Sequence, residues 1–193
     1  MKTSEEGDPF MRLGFDILII AVPVTLLYLI IRISLWKVFR IKLIREVLHL
    51  SFVLYTSSVV FIVWLYYAAQ TEYMLYNYIP FKTIVGYLQE IPSSTAFKNI
   101  IGNLLICLPF GFYYYFNIRV IPKMNIAIYA VAIPFIIEFG QWIMYFIHLG
   151  MRAVDIDDVI LNGSGILIGY YITKGLFRKK RRSVKSTEMV LSR

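Results

Sequence analysis

Apolar residues occupy this chain in five long stretches separated by short polar segments. A helix needs about 20 apolar residues to cross a bilayer, and the pattern predicts spans at roughly 15–35, 48–69, 99–118, 126–147 and 156–173. The segment between the second and third spans, residues 70–98, has its own rhythm. There Phe81, Ile84, Val85, Leu88 and Ile91 recur at helical spacing, with Lys82, Thr83, Gln89 and Glu90 on other faces. Pro80 before and Pro92 after supply a start and a stop. The object predicted is a short amphipathic helix, lying on the outer membrane surface or folded over the bundle. The expected fold class is therefore an all-α membrane protein, a bundle of about five transmembrane helices with an outer amphipathic helix in the 70–98 loop. The expected divisions are an extracellular N-terminus at 1–14, a transmembrane domain at 15–173 and a basic cytoplasmic tail at 174–193.

Composition sharpens this picture by exclusion. Of 193 residues 59% are hydrophobic and 17% charged, with a mean hydropathy of +0.66. Soluble domains sit nearer 45–50% apolar and 25% charged, so a water-soluble globule is excluded. A single cysteine, Cys107, permits no internal disulfide, and no zinc-type Cys/His spacing exists. The first span follows Glu5, Glu6 and Asp8 and precedes no small-x-small cleavage site, which reads as a retained helix and not a signal peptide.

The net charge of +8 matters through its distribution. The segment after the first span carries Arg32, Lys37, Arg40, Lys42 and Arg45, and the one after the third carries Arg119 and Lys123. The tail adds Lys174, Arg178, Lys179, Lys180, Arg181, Arg182, Lys185 and Arg193. Cytoplasmic loops accumulate such residues, so five spans place the N-terminus outside and the C-terminus in the cytoplasm. The run from Arg178 to Arg182 lacks interleaved aromatics, and reads as an orientation signal attracted to anionic inner-leaflet lipid, with no nucleic-acid partner.

Polar residues inside apolar stretches carry the chemistry, because a charge at the bilayer centre costs about 2.5–3.5 kcal/mol on insertion scales. The fourth span holds Glu138 and Gln141, three apart on one helical face, with Pro134 a turn before them and His148 at the outer boundary. The fifth opens with Arg152, Asp155, Asp157 and Asp158. Asp155, Asp158 and Asn162 form one stripe that continues through Gly165 and Gly169, a GxxxG pair inviting close helix approach, while Asp157 points elsewhere. From Val159 to Thr173 only about 22 Å of helix is available against roughly 30 Å of hydrocarbon, so either the bilayer thins or Asp158, and Asp155 with it, is drawn below the outer surface. The alternative is that Asp155 is an N-cap, with Asp157 and Asp158 favoured by the helix dipole. The third span starts with Asn99 and Asn103 and is expected to bend or break at Pro109 and Gly111. Under the predicted orientation all these polar groups fall in the outer half, which suggests a shared polar pocket near the outer leaflet.

At these residues the chain resembles the VanZ-like family of membrane proteins, whose founding member is linked to teicoplanin resistance. The resemblance rests on Asn103-LLICL-Pro109-Phe-Gly111, on Glu138-Phe-Gly-Gln141 and on Arg152-Ala-Val-Asp155-Ile-Asp-Asp158-Val-Ile-Leu-Asn162-Gly-Ser-Gly165, with Asn77-Tyr-Ile-Pro80-Phe81 upstream. It implies a role in glycopeptide susceptibility or a related cell-envelope process, without a mechanism.

The residues themselves frame the choices. An intramembrane enzyme or headgroup-binding protein acting on a lipid-linked envelope precursor would use Glu138, Asp155 and Asp158 as catalytic groups, and Asn103, Gln141, Arg152 and Asn162 toward substrate. The same three carboxylates suit a divalent cation such as Mg²⁺, and Arg152 suits a phosphate or carboxylate. A non-enzymatic alternative binds a membrane lipid or a partner in the same place. A small proton-coupled transporter using Glu138 as relay is disfavoured by few spans and no visible repeat. Interhelical glue is the remaining explanation of the polar residues.

Overall fold

The computed structural model describes residues 9–35, 42–65, 76–117, 125–147 and 154–191. The chain divides into two compact units, Met1–Ala68 and Ala69–Arg193.

In the first unit α1 (Pro9–Ser34) packs on α2 (Leu43–Val60), which continues through a π-helical turn at Phe61–Leu65. Phe15, Ile19, Ile30 and Ile33 stand exposed on α1. A helix apolar on every side needs an apolar surrounding, and lipid supplies it. The guanidinium of Arg32 grips the Glu46 carboxylate, with Nε at 2.7 and 2.9 Å from its two oxygens and Nη2 adding a third contact. This forked pair ties the end of α1 to the start of α2. Ser51, Ser57 and Ser58 donate to carbonyls one turn back at 2.8–2.9 Å, which satisfies hydroxyls inside an apolar helix.

The second unit contains β1 (Tyr76–Asn77), α3 (Lys82–Gln89), α4 (Ser94–Asn117), α5 (Ile126–Phe146), β2 (Val154–Asp155) and α6 (Ile156–Leu191). The two short strands pair in parallel, Tyr76 opposite Val154 and Asn77 opposite Asp155. Three helices form the body. A Cβ placed on Gly165 would lie 2.2 Å from the Leu104 carbonyl oxygen, and one on Gly169 would lie 2.1 Å from that of Leu108. One on Gly111 would lie 2.0 Å from the Ile166 oxygen. Backbone therefore touches backbone along the whole α4–α6 seam, as the GxxxG spacing predicts. The positions advance together on both helices, so α4 and α6 run parallel. Helix α5 runs the other way: Gly163 abuts Ala130 while Glu138 reaches Asp155. Tyr114, Tyr129 and Tyr170, one from each helix, cluster at the far end, Tyr114 tilted against Tyr129 and edge-on to Tyr170 with centroids 4.9 and 5.8 Å apart.

Among the described residues four helices are long and apolar enough to cross a membrane: Leu13–Ser34, Leu43–Leu65, Ser94–Asn117 and Ile126–Phe146. The expected span at 156–173 falls inside α6, which is not among these four. Asp157, Asp158, Asn162, Ser164 and the glycines dilute its hydropathy, and basic residues follow from Lys174. Helix α6 also runs past the expected end at 173, to Leu191. The expected amphipathic helix of the 70–98 segment is present at Lys82–Gln89 inside its bracketing prolines. One expectation is corrected: α4 is not broken at Pro109 but runs on through it, and Gly111 lies against the α6 backbone.

Candidate functional site

The parallel and antiparallel directions above bring the starts of α4 and α6 and the later half of α5 to one end of the second unit. There the polar side chains meet. Asp155 caps α6: its Oδ1 accepts the Asp157 N–H at 2.8 Å, filling one of the open donors of a first turn. The same oxygen accepts Asn77 Nδ2 at 2.8 Å, and Asn77 also donates to Thr83 Oγ1 at 2.9 Å and accepts the Ile79 N–H at 3.1 Å. The Asp155 N–H donates to Glu138 Oε2 at 3.2 Å, which links α5 to the strand pair. Asn103 on α4 donates to Asp158 Oδ1 on α6. Asn99, a turn earlier, donates to the Tyr87 hydroxyl at 2.9 Å. Burial pushes the Tyr87 phenol above its usual range, and the nearby Asp158 charge pushes it the same way, so the group stays protonated.

Asp157 has a separate task. Its side chain is fully buried, and Oδ1 accepts the Phe81 N–H at 2.5 Å while Oδ2 accepts those of Thr83 and Ile84 at 2.7 and 3.0 Å. These are open donors at the start of α3, gathered by a carboxylate from a distant helix. Phe81 holds a φ of 67°, uncommon for a bulky residue, and stays there because Asp157 holds its own N–H together with those of Thr83 and Ile84.

Of the residues singled out from sequence, the structure joins Asn103 with Asp158 and Glu138 with Asp155. Gln141 and Asn162 are buried, 6% and 3% exposed, with Oε1 and Oδ1 lacking a hydrogen-bond partner. An unpaired buried acceptor costs about 1–3 kcal/mol, so each needs a reason. Arg152 and His148 lie outside the described residues. The cation site expected from Glu138, Asp155 and Asp158 is not formed: among the described residues no three His, Cys, Asp or Glu side chains stand so as to hold a metal ion. The reason is local, since Asp155 and Asp158 direct an oxygen to donors on different elements, Asn77 and Asn103. The N-cap alternative for Asp155 is met in its geometry. Sequence reasoning missed Asn77, Tyr87 and the reach of Asp157. Asn77 sat in a recognisable stretch, whereas nothing in a helical stripe announces a partner seventy residues away.

The family model VanZ/LLP1 matches residues 47–178, well over half of the chain. No curated protein and no solved structure matches it.

Proposed function

The chain belongs to the VanZ/LLP1 family of membrane proteins, which is linked to glycopeptide resistance, and on that footing we propose that it lowers susceptibility to teicoplanin-type drugs by holding the headgroup of a lipid or lipid-linked envelope precursor at the outer leaflet. The observation that carries this is the convergence of Asn103 on α4, Glu138 on α5 and Asp155 and Asp158 at the start of α6 at one end of the second unit. Such groups are expensive in a bilayer, and four at a single level form a recognition surface more naturally than four unrelated accidents. The amide and backbone donors on these carboxylates orient them as acceptors, which favours binding over bond breaking.

The matching experiment compares two variants in a glycopeptide-susceptible bacterial host, with protein abundance followed by immunoblot. Glu138→Gln keeps an oxygen for the Asp155 N–H and should leave drug tolerance within about twofold of the parent, a loss of well under 1 kcal/mol. Asn103→Leu removes the amide donor from Asp158 and uncouples α4 from α6 at the polar end, and should abolish the tolerance. Loss of tolerance in Glu138→Gln at normal abundance would instead favour a catalytic role for the carboxylate.

The orientation belongs to the same proposal: N-terminus outside, polar end outward, and the basic run Arg178 to Arg182 against anionic inner-leaflet lipid. Alkaline phosphatase fused after Gln89 should be active and after Lys123 inactive. The reverse pattern would put the polar end in the cytoplasm.

A further inference from the structure

Resting on the headgroup reading above, the question is which headgroup. Gln141 follows Glu138 by three residues on α5, and Asn162 follows Asp158 by four on α6, so each shares a face with a carboxylate of the cluster. Both side chains are more than nine-tenths buried, and Gln141 Oε1 and Asn162 Oδ1 have no hydrogen-bond donor. What such oxygens lack is a donor. A phosphate oxygen, ionised and itself an acceptor, supplies none and would be repelled by the surrounding carboxylates. Position adds a second constraint. Asn162 lies seven residues beyond Asp155 into α6, while Gln141 lies past Glu138 in the opposite sense, so the two are separated by roughly 10–15 Å along the helix axes. A single ammonium is too compact to reach both. An elongated group with hydroxyls along its length does reach them, and its hydroxyls donate to amide oxygens and carboxylates alike.

We infer that this end of the protein takes an extended, hydroxyl-rich glycosyl headgroup, with Gln141 Oε1 and Asn162 Oδ1 accepting from its hydroxyls at two depths. Gln141→Met and Asn162→Leu test this cleanly, because each removes an acceptor that has no partner in the fold and strands nothing. Apolar replacement of an unpaired buried group leaves a protein as stable or more so.

The full-length protein in phosphatidylcholine nanodiscs is loaded with one probe lipid at a time, and retained lipid is read by native mass spectrometry. The probes are diglucosyl diacylglycerol, phosphatidylethanolamine and phosphatidic acid. The expected result is that each single variant lowers retention of the diglucosyl lipid about tenfold, the worth of one good hydrogen bond, and the pair about a hundredfold. Retention of the other two lipids should change less than twofold, and melting temperature should hold or rise. Comparing parent with double variant cancels any phosphatidic acid held by the basic tail. Variant-sensitive retention of phosphatidic acid or phosphatidylethanolamine, or glycolipid retention indifferent to both variants, overturns the inference while the headgroup reading stands. If the parent retains no probe above the phosphatidylcholine background, the headgroup reading fails with it.

Discussion

Asp157→Ala should unfold or nearly unfold the segment around α3 in the second unit, with a loss of about 3–9 kcal/mol from stranding three backbone donors at about 1–3 kcal/mol each. The donors are the N–H groups of Phe81, Thr83 and Ile84, and alanine offers none of them a replacement. Buried as this carboxylate is, water has no ready access to fill in. Asp157→Asn keeps one acceptor and presents an NH₂ to the remaining donors, so it should fall between parent and alanine. Thermal unfolding in detergent, read by tryptophan fluorescence and by proteolysis around Gln89, orders the three proteins. An alanine variant that melts with the parent would mean that α3 holds its place without this clamp. Such a loss would also disturb the polar cluster, since Thr83 is a partner of Asn77 and Asn77 of Asp155.

Asp157 also marks where sequence reasoning stopped. Period-3.6 logic assigns side chains to faces of one helix and correctly separates Asp157 from the stripe of Asp155, Asp158 and Asn162. It is blind to what the other face meets when the neighbour is a loop seventy-odd residues upstream. Asn77 and Tyr87 were missed for the same reason: each acts through a contact across elements, and neither breaks a local rule. Glu138 and Asn103 were legible because they do break one, sitting as polar groups in apolar helices. Their partners, Asp155 and Asp158, were legible for a weaker reason, as acids crowding a helix start where a cap explanation also serves. For Asp155 both explanations are true together, because one oxygen caps α6 and holds Asn77 at once. The helices were read from hydropathy with errors of a few residues at their ends. Helix α6 starts at 156 as that reading expects, and differs in running past 173 to Leu191, where the basic residues that end the apolar pattern do not end the helix.

The glycines carry the second large prediction. Gly165→Ala should cost about 3 kcal/mol or more, at the upper end of what overpacking does. The added methyl would sit 2.2 Å from the Leu104 carbonyl oxygen, a backbone atom with no side-chain freedom to retreat, so the whole of α6 must move off α4. Gly102→Ala is the control on α4 itself. Nothing lies within 4 Å of a Cβ there, and alanine in a helix interior gains about 0.5–1 kcal/mol over glycine. Unfolding in detergent should therefore separate two chemically identical changes by roughly 3–4 kcal/mol. The consequence extends beyond stability, because Asn103 immediately precedes Leu104 and donates to Asp158 across the same seam. Helix separation at Gly165 pulls that amide from its carboxylate, so Gly165→Ala should lose drug tolerance even at temperatures where the protein remains folded. If it kept full tolerance and melted with Gly102→Ala, the two backbones would not be in contact, and the register that aligns the polar end would have to be set elsewhere.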